Sequence, residues 1–326
     1  MAKMEPVNAQ MKAVLDKLGE LGGKPIEQCT PEEARRQPLP NKAVEALIES
    51  RGQKAAPEAV AKVENRTFPG PGGDVQIRVY TPQGDGPFPL LLYVHGGGWV
   101  IADLDTYDAS PRALANAVGA VVVSTHYRQG PEHKFPAAHD DTLAAYKWLL
   151  KNAAALGGDP ARVALVGESA GGNMAACIAI AARDQGLQAP LHQVLVYPVA
   201  DNDLDSPSYR SNADAKPLNK AMIEWMVGNY LHSKDESADP RIALVKQPSL
   251  KNLPPTTIIN AQVDPLRSDG EKLVQALRQA GNYVEHRNYE GVTHEFFGMA
   301  ALLDEAKAAQ KFAADRLRAA FGRRSM

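Results

Sequence analysis

Residues 162–171 read Arg-Val-Ala-Leu-Val-Gly-Glu-Ser-Ala-Gly, and this stretch decides the fold. Residues 163–166 have the composition of a short buried strand, and the Ala- and Ile-rich residues 172–185 have that of a helix that ends at Gly186. A Gly-x-Ser-x-Gly motif between a strand and a helix exposes its serine on a tight turn at the carboxyl end of a sheet. The motif alone is a common coincidence, so a catalytic role for Ser169 requires partners elsewhere in the chain.

Composition narrows the class of protein. The chain has 326 residues, enough for one large α/β domain, and a formal net charge of -2, which gives no basis for a nucleic acid or an anionic membrane as partner. Its two cysteines, Cys29 and Cys177, indicate no disulfide framework. The first residues are charged throughout, unlike a signal peptide, and no stretch approaches the length of a membrane span. We therefore expect a soluble, cytoplasmic protein.

Short apolar segments alternate with helical patterns along most of the chain. Strand-like segments occupy residues 90–94, 120–125, 163–166, 194–197, 257–261 and 283–289, and helical patterns occupy residues 106–117, 137–155, 170–185, 268–280 and 299–321. A half-buried strand precedes them, because Val75, Ile77 and Val79 alternate with polar residues. Continuous apolar strands that alternate with helices predict a mostly parallel sheet covered on both faces.

Two segments fall outside this alternation. Residues 1–50 show two helical patterns separated by prolines, and they are too few for an independent domain. Residues 201–232 combine polar turns with an apolar helix, as expected of an insertion after a strand end. We predict an N-terminal helical part over 1–52 and a main domain over 53–326 that carries 201–232 as an insertion.

A serine nucleophile needs a base and an acid that orients the base. Among the eight histidines, His294 is the best candidate, because Gly291-Val292-Thr293 places it just beyond a predicted strand. Asp264 follows the strand at 257–261 and precedes Pro265, so it is either the orienting acid or only a helix cap. In catalytic triads built on the strand-end loops of a single sheet, the serine, the acid and the histidine follow one another along the chain. Ser169, Asp264 and His294 have this order.

The fourth element is His95-Gly96-Gly97-Gly98, directly after the strand at 90–94. Consecutive glycines let backbone N–H groups point inward, so the amides of Gly97, Gly98 and Ala170 would hold a developing oxyanion. A phosphate loop would end in Lys-Ser or Lys-Thr, whereas Trp99 follows here, and the chain has no Gly-x-Gly-x-x-Gly dinucleotide motif.

These motifs together resemble the hormone-sensitive-lipase-like serine esterases, also called bacterial family IV, of the α/β-hydrolase superfamily. The matching stretches are His95-Gly96-Gly97-Gly98-Trp99, Tyr127-Arg128, 131–137, Gly167-Glu168-Ser169-Ala170-Gly171-Gly172, Asp264-Pro265-Leu266-Arg267 and His294. The resemblance implies hydrolysis of carboxylic esters by Ser169, Asp264 and His294, without metal or organic cofactor. It also implies an eight-stranded sheet and a helical cap made from the N-terminus and the insertion.

The resemblance leaves several points open. Short to medium acyl esters are favoured, and Trp99, Met222 and Trp225 either face the acyl chain or are simply core. Glu168 and Glu295 stand where Asp and Gly are usual in the family. Dimers are frequent there, but no residue pattern demands a homodimer here. Amide hydrolysis, acyl transfer to an alcohol, and a silent ligand-binding member of the fold are the alternatives, although receptors of the last kind lack the base that His294 supplies.

Other residues that could carry chemistry are weaker candidates. His133, His139, Asp140 and Asp141 could suggest a metal cluster. They fall, however, beside or within the family's structural stretch, and the two acids suit the first turn of a helix. We therefore predict no metal site.

Overall fold

The computed structural model of the protein describes residues 4–322, in which eight strands form one sheet. The strands are β1 (Lys62–Gly70), β2 (Gly73–Thr81), β3 (Phe88–Val94), β4 (Val121–His126), β5 (Gly158–Glu168), β6 (Gln193–Val196), β7 (Thr256–Val263) and β8 (Val284–Thr293). Their order across the sheet is β1-β2-β4-β3-β5-β6-β7-β8. Only the β1–β2 and β2–β4 pairs are antiparallel, so the predicted mostly parallel sheet is confirmed.

Helices connect most of the parallel strands. The α-helices of the described residues are α1 (Ala9–Glu20), α2 (Pro31–Ala34), α3 (Pro40–Ser50), α4 (Ala109–Val118), α5 (Ala137–Asn152), α6 (Ala170–Asp184), α7 (Pro207–Ser211), α8 (Lys220–Tyr230), α9 (Arg267–Gln279) and α10 (Asp304–Gly322). Several boundaries differ from the sequence prediction, two of them in the last part of the chain. β8 extends to Thr293 rather than stopping at 289, and the last helix begins at Asp304 because a short 3₁₀ segment, Phe296–Met299, comes first.

The sheet separates two hydrophobic cores. Along β3, Leu90, Leu92 and Val94 pack into one core, while Leu91 and Tyr93 pack into the other, and all of these side chains are fully buried. Burial on both faces explains why the strands read as continuous apolar runs rather than as alternating ones.

The N-terminal segment packs on the main domain. The backbone N–H of Asn8 donates to the carbonyl of Gly291 at 2.8 Å, and Met11 of α1 is fully buried. The segment also contacts α8 of the insertion: the Trp225 indole donates to the carbonyl of Cys29 at 3.1 Å, and the Asn219 amide donates to Glu27 at 3.0 Å. The assignment of the two segments to one cap, with boundaries at 52 and 201–232, stays a prediction.

Candidate active site

The residues predicted for catalysis all follow the carboxyl ends of parallel strands. His95 follows β3, Ser169 follows β5, Asp264 follows β7 and His294 follows β8. Because these strands are parallel members of one sheet, their carboxyl ends share one edge. The topology therefore gathers residues that lie far apart in sequence.

Ser169 lies on a sharp turn between β5 and α6. Its backbone has φ 58° and ψ -121°, a conformation that is strained for a residue with a side chain. The Ser169 N–H donates to the carbonyl of Val196 at 2.9 Å, which ties the turn to the neighbouring strand β6. A Cβ at Gly171 would collide with the carbonyl of Val94, so the turn can approach β3 this closely only with glycine there.

The three predicted side chains form a continuous hydrogen-bonded row. His294 Nε2 lies 2.9 Å from Ser169 Oγ, and His294 Nδ1 lies 2.7 Å from Asp264 Oδ2. A carboxylate only accepts, so Nδ1 carries the proton and Nε2 accepts from the serine hydroxyl. Burial opposes a positive charge on the imidazole, but the Asp264 carboxylate outweighs it and raises the pKa of His294 above the ordinary 6.5. The row has the geometry of a nucleophile, a base and an orienting acid.

Asp264 contacts both the imidazole and the turn before α9, but it is not the cap of that helix, whose N-cap is Leu266 without a side-chain cap hydrogen bond. While Oδ2 faces the imidazole, Oδ1 accepts the backbone N–H of Leu266 at 2.8 Å, just before α9. The side chain is fully buried. Fixing one oxygen in the turn holds the other one against His294, so the turn and the orienting contact support each other.

The glycines after β3 shape a loop beside Ser169. Gly97 and Gly98 have φ 95° and 57°, and a Cβ on Gly98 would collide with the Met226 side chain. Within residues 4–322, the backbone N–H groups of Gly97, Gly98 and Ala170 donate to no protein backbone carbonyl. They remain available for an oxygen bound next to Ser169, as an oxyanion site requires.

His95 and Gly96 hold this loop in place. His95 Nδ1 donates to the carbonyl of Gly96 at 2.8 Å, and the Tyr127 hydroxyl donates to the same carbonyl at 2.8 Å. His95 Nε2 then accepts from Nδ1 of His126 at 3.1 Å. Burial lowers the pKa of His95 to about 3, so the ring is neutral at working pH. A Cβ on Gly96 would collide with the Tyr107 hydroxyl and come within 3.1 Å of the Ser169 Cβ, so only glycine fits.

A cavity of about 340 Å³ opens above Ser169 and His294. Its walls come from the N-terminal segment, the glycine loop and α8, and they include Leu18, Ile26, Leu39, Trp99, Leu218, Met222, Ile223 and Met226. These side chains are mainly apolar, as expected for a pocket that receives a hydrocarbon group.

Only part of the predicted pocket lines this cavity. Trp99 and Met222 do, and Trp99 also stacks on Tyr230 with ring centroids 5.0 Å apart. Trp225 does not line it, because its position on α8 points its indole toward Cys29 of the N-terminal segment. Met226, one turn after Met222, lies on the cavity side instead. The i, i+4 spacing of the two methionines was the sequence signal for this face.

Two further carboxyl groups, those of Glu168 and Glu295, belong to residues next to Ser169 and His294 in the chain. The sequence indicated no role for either. Glu168 is buried and accepts hydrogen bonds from Tyr93, at 2.6 Å, and from Tyr197, whose ring lies against the His294 imidazole with centroids 4.4 Å apart. Burial and the nearby Glu295 carboxyl raise the pKa of Glu168 to about 7. This network contacts the imidazole through the Tyr197 ring.

Two of the four residues that could suggest a metal cluster have other partners. Asp141 pairs with Arg128 at 2.8 Å, and His139 lies between Tyr230 and Asn173 at 2.9 and 3.0 Å. In the part of the chain that the structure describes, no group of three or more His, Cys, Asp or Glu side chains could hold a metal ion. Nor does any helix of residues 4–322 have the length and apolar character needed to cross a bilayer.

Comparison of the sequence and the fold with known proteins identifies the family of this chain. A sequence profile described as "alpha/beta hydrolase fold" matches residues 91–298. The carboxylesterase NlhH of Mycobacterium tuberculosis is 40% identical over 260 residues, which cover 78% of this chain and 82% of the relative. Ethyl acetate hydrolase of Pseudomonas putida is 34% identical over 287 residues, covering 86% of this chain and 88% of that protein.

Solved structures agree over nearly the whole chain. A hyperthermophilic esterase from Pyrobaculum calidifontis superimposes with a TM-score of 0.86 at 33% identity, covering 96% of this chain and 98% of the other. A thermostable esterase from Pseudomonas putida gives a TM-score of 0.87 at 31% identity, covering 98% and 99%. The chain therefore belongs to the hormone-sensitive-lipase-like family of carboxylesterases in the α/β-hydrolase superfamily.

Proposed function

We propose that this carboxylic ester hydrolase uses Ser169 as nucleophile, His294 as base and Asp264 as orienting acid. The observation that carries the proposal is the unbroken row from Ser169 Oγ to His294 Nε2, at 2.9 Å, and from His294 Nδ1 to Asp264 Oδ2, at 2.7 Å. Nucleophile, base and orienting group within hydrogen-bond reach of one another are the requirements for acyl transfer through a covalent intermediate.

The reaction follows from these contacts. His294 Nε2 takes the Ser169 proton as Oγ attacks the ester carbonyl carbon, and the amides of Gly97, Gly98 and Ala170 donate hydrogen bonds to the negative oxygen. The imidazolium, stabilised by Asp264, then protonates the departing alcohol and leaves an acyl group on Ser169. Water, deprotonated by His294 Nε2, attacks the acyl carbon, and the proton returns to Ser169 Oγ as the acid leaves.

The cavity supports short to medium acyl chains as the substrate class. Its volume of about 340 Å³ and its apolar walls suit a small ester rather than a long-chain lipid. The Asn219 amide donates to Glu27 of the N-terminal segment at 3.0 Å, and both residues line the cavity. Ethyl acetate, after which the Pseudomonas putida relative is named, is a small ester.

Substitution of the serine tests the nucleophile. Ser169→Ala should lower kcat for p-nitrophenyl butyrate by about 10³-fold or more, because only the oxyanion site and substrate binding remain. Labelling by a fluorophosphonate should disappear in the same variant. The exposed Ser233, replaced by alanine, is the matched control and should behave as wild type. Near-normal turnover by Ser169→Ala would refute the assignment.

A series of p-nitrophenyl esters tests the substrate class. We expect kcat/KM to peak at short to medium acyl chains, because longer chains exceed the cavity. A maximum at dodecanoate or longer would contradict the proposal, whereas the role of Ser169 would be unaffected by that result.

A further inference from the structure

Glu295 occupies an unusual position next to the base. It follows His294 directly and has φ 72°, in the left-handed region where glycine is favoured. A strained conformation of this kind persists where the surrounding structure demands it, and such residues cluster at functional sites. The triad chemistry described above gives Glu295 no task.

The Glu295 carboxyl faces the reacting nitrogen. Its Oε1 lies 3.8 Å from His294 Nε2, the nitrogen that contacts Ser169, and it accepts a hydrogen bond from the Tyr107 hydroxyl at 2.5 Å. A separation of 3.8 Å is too long for a direct hydrogen bond, but it leaves room for one water that contacts both groups. Tyr107 is buried and limits where the carboxyl can move.

Solvent reaches Glu295 from a second side. A separate cavity of about 820 Å³ lies between α3, α4 and α10, and it shares Tyr107 and Glu295 with the substrate cavity. Its outer rim carries Lys307 and Lys311, which are exposed. Glu295 and Tyr107 therefore lie between the substrate and a solvent-accessible space that the substrate does not need to occupy.

Hydrolysis of the acyl-enzyme requires a water molecule held next to His294. Once Ser169 Oγ is acylated, it no longer donates to His294 Nε2, and a water molecule must take its place. Among the described residues, the carboxyl groups within ion-pair distance of His294 are those of Asp264 and Glu295, and Asp264 is already engaged at Nδ1. Glu295 is thus the carboxyl group placed to accept the second hydrogen of that water.

We propose that Glu295 positions the hydrolytic water for deacylation, with Tyr107 fixing its carboxyl group; this rests on the proposed role of Ser169. One O–H of the water donates to His294 Nε2, and the other donates to Glu295. The water oxygen bonds to the acyl carbon as its proton passes to Nε2. The bond from that carbon to Ser169 Oγ then breaks, and the proton moves from Nε2 to Oγ. Glu295 gains and loses no proton.

Pre-steady-state kinetics with p-nitrophenyl acetate test this proposal. Glycine adopts a φ of 72° readily, so Glu295→Gly removes the carboxyl group without straining the backbone. Deacylation should slow by about 10- to 100-fold, because the water is no longer positioned. A burst of p-nitrophenol should appear, and kcat and KM should fall together, leaving kcat/KM within about threefold of wild type. Glu295→Gln, which keeps an accepting oxygen, should fall between Glu295→Gly and wild type. The exposed Glu290, replaced by glutamine, is the control.

Added hydroxylamine separates positioning from structural damage. This strong nucleophile depends less on a fixed water, so it should restore turnover of Glu295→Gly several-fold more than that of wild type. An equal loss in kcat and kcat/KM without a burst would overturn the proposal, because Glu295 would then act before the acyl-enzyme forms. If Ser169 resists a fluorophosphonate in the wild type, the acyl-enzyme itself is refuted, and the proposed function fails with it.

Discussion

At the scale of single residues, the orientation of His294 depends on one carboxylate. Asp264 Oδ2 accepts from Nδ1 at 2.7 Å, while Oδ1 is held by the Leu266 backbone at 2.8 Å. The contact selects the tautomer whose Nε2 accepts from Ser169. It also stabilises the imidazolium, which is why the pKa of His294 lies above its ordinary value despite burial.

Asp264→Asn tests both effects of the carboxylate, on the tautomer of His294 and on its pKa. We expect kcat for a p-nitrophenyl ester to fall by about 10³- to 10⁴-fold, because the asparagine amide favours the wrong tautomer. The base must be neutral to act, so kcat/KM rises as pH passes the pKa of His294. Since Asp264 raises that pKa, its loss should move the rising limb to lower pH. Exposed Asp214→Asn is the control. A tenfold or smaller loss, with the limb unmoved, would contradict this role.

At the scale of elements, the glycine loop after β3 and helix α8 fit against each other. Gly98 has φ 57°, and a Cβ there would overlap Met226 of α8. In the proposed mechanism, the N–H groups of this loop donate to the oxygen next to Ser169. The loop geometry therefore depends on a contact between two segments far apart in the chain.

Gly98→Ala should disturb the oxyanion site, and we expect kcat to fall by about 10²-fold, the scale of losing one donor. Adding Met226→Ala should recover part of this loss, because it removes the Met226 Sδ and Cγ, the two atoms closest to the added Cβ, but leaves the Met226 Cβ at 2.9 Å and the backbone strain. Gly119→Ala is the matched control: its φ is 69° but its Cβ would meet nothing within 4 Å, so it should lower stability without lowering kcat. A double variant no better than Gly98→Ala would exclude the steric explanation.

At the scale of the whole molecule, buried carboxyl groups couple folding to pH. Asp269 Oδ2 accepts the backbone N–H groups of Ala200 and Asp201, both at 3.0 Å, at the base of the insertion. Burial raises the pKa of Asp269 from 3.8 to about 8. The folded state therefore holds its proton over a range where the unfolded state has lost it. Ionisation opposes folding there, so the free energy of unfolding should fall as pH rises from about 4 to 8.

Asp269→Asn should flatten this dependence, since the amide oxygen can still accept both N–H groups but cannot ionise. Urea unfolding at pH 5 and pH 8 measures the difference in the free energy of unfolding, which should be smaller in the variant than in wild type. Exposed Asp214→Asn should leave the difference as it is. An unchanged slope in Asp269→Asn would mean that Asp269 is not the group that titrates.

The pattern of apolar residues predicted much of the architecture, but it did not predict the boundaries of the elements. The strand at 283–289 was extended by the structure to Thr293, because pairing with β7 continues past an irregularity between Ala261 and Val263. Local apolar pattern cannot detect such pairing, since its hydrogen bonds come from another strand. The sequence likewise could not predict the direction of the Trp225 indole, because that direction depends on where Cys29 lies.

The sequence by itself predicted the alternation of sheet strands and flanking helices from β3 onward and the candidates Ser169, Asp264 and His294, because strand-end position and motif chemistry are local properties. Only the tertiary structure decided that Tyr107 donates to Glu295, that the Glu295 carboxyl lies 3.8 Å from His294 Nε2, and that Met226 rather than Trp225 faces the cavity. Tyr107 and Met226 belong to segments far from residue 294 in the chain, and their positions are set by how the sheet, the N-terminal segment and α8 pack together.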